Sequence, residues 1–529
     1  MQAVPRGAAV PGPAGAGDYR RRMPTRPALR RCALVVLVVL GLAGCVAPKH
    51  QASSPTSDAA TSGTADPVLA PFYDQVLEWT TCASEQCADA TVPLDWDDPE
   101  GESITVALRR VPASGGAPVG SLLVNPGGPG RSAIDSLNYF RQIVSREVLA
   151  SYDLVAFDPR GVQHSSPVTC VDPPELDELA AWVPDWSTDE GIAAAAARNG
   201  EFGRACLERT GPLLGHVDTA SVARDMDVLR AVLGDEALTY LGFSYGTELG
   251  ATYAALFPER VGRLVLDGAL DPTLDSGQVA AGQAAGFESA LRAYVTDCQA
   301  GPACPLTGSA DAGLTQIARM FERVRANPLP TGTERELTSS LAFSGVAAAL
   351  YAQSSWPLLT QALSKAIDAA DGSVLLQLAD SYYGRSPDGT YASNQNEAFS
   401  AVLCLDDRPS ADPAQMRADA AEIVAVAPTV GQFFAYGGAS CAQWPVPQVG
   451  SLASYEAPGA APILVIGTTN DPATPYAWAQ SLADLLSSAV LLTFEGEGHT
   501  AYGRSNQCVK DAVDAYLLTG EAPADGTTC

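Results

Sequence analysis

A nine-residue stretch, Gly242 to Gly250 (GFSYGTELG), constrains this chain more tightly than any other. It follows an apolar run, Ala237 to Leu241, that predicts a short buried strand. It leads into Thr247 to Phe257, which predicts a helix stopped by Pro258. A strand that turns into a helix within a few residues needs glycine where backbone passes close to backbone, and Gly242 and Gly246 flank Ser244 there. The letters Gly242-Phe243-Ser244-Tyr245-Gly246 fit a nucleophile elbow, a strained turn that exposes the serine hydroxyl. A glycine-rich chain can show these five letters by chance, so the strand before and the helix after give them their weight.

Strands and helices alternate around this turn. Ser103 to Val111 and Gly120 to Asn125 predict strands, and the second runs into Asn125-Pro126-Gly127-Gly128-Pro129-Gly130 (NPGGPG). A helix is expected over Ala133 to Val148, then a strand over Tyr152 to Phe157 running into Asp158-Pro159-Arg160-Gly161-Val162. A cysteine-bearing insertion reaches about Gly215, and Thr219 is placed to cap a helix with Val222, Met226, Leu229 and Val232 on one face. Val261 to Asp267 is one more strand. The alternation from Ser103 to Asp267 predicts a mostly parallel α/β sheet.

From Asp271 to about Gly450 the pattern becomes mainly helical, for example over Gln278 to Tyr294, Asp311 to Arg325 and Trp356 to Ala370. Alternation resumes with strands at Ala461 to Gly467 and Val490 to Phe494 and a helix near Cys508 to Leu518. The expected organisation is an α/β core over 68–270 and 451–529, interrupted by a helical cap over 271–450. Trp79 to Pro93 reads as an exposed lead-in segment.

The first 45 residues read as a leader. Arg20-Arg21-Arg22 and Arg30-Arg31 precede an apolar run, Ala33 to Leu42, too short to span a bilayer as a stable helix. It ends in Leu42-Ala43-Gly44-Cys45, which looks like a bacterial lipobox, with Cys45 the expected lipidation site. Met23 to Cys45 alone would make a complete leader. Val46 to Pro67, rich in Ser, Thr, Ala and Pro, predicts a flexible tether. The expected location is extracytoplasmic: at the outer face of the cytoplasmic membrane, with lipid the sole membrane contact, or released from the cell.

Ten cysteines remain beyond Cys45, and an even number in an exported chain implies disulfides. The short separations favour pairing in order: Cys82–Cys87, Cys170–Cys206, Cys298–Cys304, Cys404–Cys441 and Cys508–Cys529. No histidine lies near them in ligand spacing, so neither metal nor other cofactor is expected. Acidic residues outnumber basic ones 60 to 32, which makes nucleic acid a poor partner.

A serine nucleophile needs a base, and the chain offers four histidines. His50 lies in the tether, and His164 and His216 precede the elbow. His499, in Glu495-Gly496-Glu497-Gly498-His499-Thr500, follows the last predicted strand and alone satisfies the order serine, acid, histidine of α/β-hydrolases. The acid should follow the penultimate strand, where Asp471 sits. Asp484 is placed less well, and Asp267, after the strand beyond the elbow, is the runner-up. The Tyr245 amide is one expected oxyanion donor, and Gly128 or Gly127 supplies the other.

Together GFSYGTELGATYAALFPERV, NPGGPG, FDPRGV, GTTNDPATPY and GEGHT resemble the proline iminopeptidase and tripeptidyl aminopeptidase group of α/β-hydrolases. The resemblance runs from about Val68 to Cys529 and is strongest to exported, lipobox-bearing actinobacterial members. It implies Ser244 as nucleophile, Asp471 as acid and His499 as base. It further implies an exopeptidase whose cap admits the free amino end of a peptide. Pro126 stands where the family usually has His, and Gln163-His164 where it usually has Gly. The first departure matches the tripeptidyl branch. Glu397 and Asp406 are the candidate carboxylates for the substrate amine, and Thr474 a candidate substrate contact. A carboxylesterase is the enzymatic alternative, and a non-catalytic surface binding protein the alternative of another class.

Overall fold

The computed structural model describes residues 66–529; the leader with Cys45, and the tether through residue 65, lie outside the described residues. Ten strands form one sheet: β1 (Thr80–Cys82), β2 (Glu85–Pro93), β3 (Ser103–Val111), β4 (Gly120–Asn125), β5 (Tyr152–Phe157), β6 (Leu238–Phe243), β7 (Val261–Asp267), β8 (Ile463–Asn470), β9 (Ala489–Glu497) and β10 (Thr527–Thr528). Their order is β1-β2-β3-β5-β4-β6-β7-β8-β9-β10. β3 pairs antiparallel with β2 and β5, whereas every pairing from β5 onward is parallel. This is an α/β-hydrolase sheet.

The two faces follow from the pleat, because successive side chains point to opposite sides. Leu123, Val155, Tyr240, Leu264, Leu266 and Val465 pack one face against α1 (Thr219–Val232) and α2 (Tyr245–Leu256). Leu122, Val124, Leu154, Leu241, Val265 and Ile466 pack the other against Phe140, Val148, Val513 and Leu517. Buried on both faces, these strands read as continuous apolar runs, which made them visible in the sequence.

Between β7 and β8 lie only helices and loops, including Ser276–Ala300, Ser339–Leu350 and α3 (Gln395–Asp406). This stretch has an apolar core of its own, in which Phe287, Leu291, Phe321, Leu341 and Leu363 are buried together. Five disulfides join Cys82 to Cys87, Cys170 to Cys206, Cys298 to Cys304, Cys404 to Cys441 and Cys508 to Cys529. No helix among the described residues is long and apolar enough to cross a membrane.

Several local expectations need correction. Trp79 to Pro93 is not merely an exposed lead-in: it forms the β1–β2 hairpin, and β2 buries Ala88, Ala90 and Val92. The helix expected over Ala133 to Val148 is two, Leu137–Ile143 and Arg146–Ser151, because extended Ser145 accepts the Val148 amide and starts a new helix. α1 is capped by Asp218, which takes the Ser221 amide at 2.9 Å, and Thr219 is its first residue.

The loop after β5 is fixed by Arg160, wholly buried with Asp225. Its Nε and Nη2 donate to the two Asp225 oxygens at 2.7 and 2.6 Å. Nη1 donates to the carbonyls of Leu94 and His216, and Nη2 also to that of Pro93. All five donors of the guanidinium are thus used. Removing one partner of such a pair leaves a buried charge uncompensated. Arg160→Met should therefore lower unfolding free energy by about 3–5 kcal/mol, read as a shifted urea midpoint at constant m-value. A shift within about 0.5 kcal/mol would show the pair to be dispensable.

Candidate active site

The elbow is built where β6 meets α2. Ser244 has φ 55° and ψ −125°, a conformation that a serine holds only when its surroundings impose it. Its amide donates to the carbonyl of Asp267 at the end of β7, and its carbonyl accepts from the Thr247 amide and hydroxyl. NPGGPG lies directly against this turn. A Cβ on Gly127 would stand 2.9 Å from the Ser244 Cβ and 2.4 Å from the Phe243 carbonyl oxygen, so the loop can approach only as glycine.

The two glycine candidates for the oxyanion separate here. The Gly127 amide already donates to the Asn125 side chain at 2.8 Å, so Gly127 is a poor oxyanion donor. The amides of Gly128 and Tyr245 have no hydrogen-bond acceptor among the described residues. Tyr245 opens α2, where the first amides of a helix lack intrahelical partners.

His499 follows β9 and Asp471 follows β8, on adjacent parallel strands. The His499 Nδ1 lies 2.9 Å from each Asp471 carboxylate oxygen, and both residues are buried. Asp471 also accepts the amides of Ala473, Thr474 and Thr500. Burial pushes its carboxyl up, but the imidazole and these hydrogen bonds outweigh that and hold it below the ordinary carboxylate value. The Thr474 hydroxyl sits 3.2 Å from His499 Nδ1, so Thr474 supports the imidazole from the acid's side. From the helical insertion, the Tyr351 carbonyl accepts the His499 amide at 2.9 Å, and the Tyr351 ring stands edge-on to the imidazole at 5.1 Å. The end of β7 touches both the Ser244 turn and His499: the Asp267 carbonyl accepts the serine amide, and a Cβ on the next residue, Gly268, would stand 3.3 Å from His499 Cε1.

The other candidates are placed elsewhere. Asp267 does not bond the imidazole; its carboxylate accepts the amides of Ala501 and Tyr502, fixing the loop behind His499. Asp484 is exposed. His164 is exposed beside Asp135, and His216 lies near Asp95. His50 lies outside the described residues. Glu397 accepts the amides of Cys170 and Val171 on a single oxygen, so it fastens the disulfide loop rather than facing a substrate. Asp406 accepts the Thr219 amide and hydroxyl, and that hydroxyl lies 2.6 Å from the Tyr245 hydroxyl.

One residue escaped the sequence reading. Glu248, one turn beyond Ser244 in α2, has no hydrogen-bonded or ion-paired partner among the described residues, and burial pushes its carboxyl up to about 7. Burial, and then the charge of Glu248, raise Asp406 well above the ordinary value. Both carboxyl residues nevertheless keep part of their surface open to water. Two neighbouring acids with no cation paired to them among the described residues leave a site that a positive group would complete.

Fold and site together define a serine hydrolase of the α/β-hydrolase class. Residues 427–529 match the family described as TAP-like protein. The chain is 37% identical over 487 residues to serine protease Hip1 of Mycobacterium tuberculosis (87% of this chain, 92% of that one). It is 38% identical over 475 residues to carboxylesterase B of the same organism (88% and 91%) and 33% identical over 472 to tripeptidyl aminopeptidase of Streptomyces coelicolor (86% and 86%). The chain belongs to the TAP-like family of α/β-hydrolase serine peptidases.

Asp267 gives the site a measurable pH signature. Burial, opposed by its two amide donors, raises its carboxyl from 3.8 to about 6. A raised folded value means the contribution to stability is full below the ordinary value and lost as pH rises through about 6. Relative to Asp267→Asn, the parent should lose on the order of 2–3 kcal/mol of unfolding free energy between pH 4 and pH 7 and change little above. Urea titrations across that window check this, and a difference independent of pH would contradict it.

Proposed function

We propose that this enzyme releases short peptides from the free amino end of its substrates through an acyl-enzyme on Ser244. The observation that carries the reading is the His499–Asp471 pair at 2.9 Å, taken with the strained turn at Ser244 that opens α2. His499 takes the Ser244 proton as the hydroxyl oxygen attacks the scissile carbonyl, and Asp471 offsets the charge the imidazole gains. The amides of Tyr245 and Gly128 receive the oxyanion. His499 then hands the proton to the departing amine, and water releases the acyl group by the same route. Thr474 orients the imidazole rather than binding substrate.

Glu248 and Asp406 are the anchor for the substrate's ammonium; Glu397 is withdrawn from that role because its carboxylate is engaged with the Cys170 loop. The cap over 271–450 closes the site against long chains, and the core comprises 68–270 and 451–529. The relative named serine protease Hip1 and that named tripeptidyl aminopeptidase support peptides as substrates. The one named carboxylesterase B supports an esterase as the second reading. The lipobox supports an exported protein held at the membrane by lipid on Cys45, over a tether of residues 46–67.

Three measurements test this. Ser244→Ala should abolish labelling by a fluorophosphonate, and persistent stoichiometric labelling would remove Ser244 from the mechanism. Acetylating a tripeptide-anilide should lower kcat/KM roughly 10²-fold, the loss of a buried charge pair worth about 3 kcal/mol. Glu248→Gln or Asp406→Asn should bring the free peptide down towards the acetylated one; equal rates on both peptides in the parent would favour the esterase. Cys45→Ser should shift the protein from the membrane fraction to the medium, and unchanged fractionation would rule out the lipid anchor.

A further inference from the structure

We propose that Gln163 is a positioning residue which, paired with Asn394, sets the two oxyanion donors through α3; this rests on the assignment of Ser244, Tyr245 and Gly128 above. Gln163 has a φ of 35°, a conformation that glycine adopts without strain and glutamine does not. Such a residue persists where its surroundings over-determine it, often at a functional site. Its side chain supplies the compensation.

The Gln163 amide donates to Asn394 Oδ1 at 2.8 Å, and the Asn394 amide donates back to Gln163 Oε1 at 3.2 Å. Gln163 Nε2 donates to the Ala392 carbonyl. The buried Asn394 Nδ2 donates to the carbonyls of Gly161 and Val168, closing the turn from both sides. These bonds join the turn after β5 to the residue that opens α3.

From that junction α3 reaches both donor segments. Its first turn lies on NPGGPG: a Cβ on Gly130 would stand 2.7 Å from the Gln395 carbonyl oxygen, 2.9 Å from the Phe399 amide nitrogen and 3.1 Å from the Ala398 Cβ. The residues after Gly130 are held from the Gln163 turn as well. Asp158 accepts the His164 amide together with the Ser132 hydroxyl and the Ile134 amide. At its far end α3 offers Asp406 to Thr219, whose hydroxyl meets the Tyr245 side chain. A helix is stiff over three turns, so a displacement at Asn394 is passed to both ends. The Gln163–Asn394 pair therefore fixes the separation of the Gly128 and Tyr245 amides, which matters most when charge develops on the oxyanion.

The test compares the full-length parent with Gln163→Gly, which relieves the strain, and Gln163→Leu, which keeps the bulk without the bonds. Gln163 is only half-buried, so both variants should fold; thermal unfolding verifies it. kcat on a tripeptide-anilide should fall about tenfold with KM within about twofold, less than the roughly 10²–10³ lost when a donor is removed outright. A tripeptide aldehyde adds to Ser244: the Oγ–C bond forms, the carbonyl electron pair moves onto oxygen, and the serine proton passes to His499. Affinity for this adduct should fall by the same factor as kcat, whereas inhibition by the free tripeptide stays unchanged. The proposal is overturned if kcat and aldehyde affinity stay within twofold of the parent in both variants. It is equally overturned if aldehyde and tripeptide affinities fall together, which a general loosening would produce. A parent that forms no covalent aldehyde adduct would instead overturn the Ser244 assignment itself.

Discussion

Asp267 is the joint on which the site depends. Its main-chain carbonyl takes the amide of Ser244, and its carboxylate takes the amides of Ala501 and Tyr502 behind His499. One residue at the end of one strand thereby fixes the turn at Ser244 and the loop behind His499 relative to each other. Ser244 cannot relax from its positive φ without losing that bond, and the His499 loop cannot swing without uncovering a buried carboxylate. Around this joint the parallel strands β6, β7, β8 and β9 lead in turn to Ser244, Asp267, Asp471 and His499.

What was legible in the sequence was whatever must be apolar or must be glycine. The central strands announce themselves because both faces are covered, and the elbow because its neighbours exclude side chains. The order of serine, acid and histidine follows from strand order, so two residues more than two hundred positions apart could be matched. The edge hairpin was less visible because β2 mixes buried with open positions and its sequence looks polar. The break at Ser145 depends on a capping hydrogen bond that periodicity does not report.

Charged groups were the least legible. Glu397, Asp406 and Glu248 are alike as letters, and what separates them is the company each keeps. One oxygen of Glu397 is held by two amides, Asp406 is held by one threonine, and Glu248 has no bonded partner among the described residues. Asp225 would look as promising as any of these were it not consumed by Arg160. In a chain with 60 acidic residues, which acids the fold leaves unspent is a property of tertiary structure.

The two margins of the sheet share a design with a consequence for handling the protein. Each is finished by a strand of two or three residues, β10 or β1, and each is stitched by a disulfide close by, Cys508–Cys529 or Cys82–Cys87. A stub that short offers little backbone for a foreign strand to pair with, whereas the longer β9 and β2 beneath would be good templates. The stitching thus works as a hem, keeping neighbouring molecules from joining edge to edge. Thiol reductants during purification would unpick it, and the first symptom would be self-association rather than lost turnover.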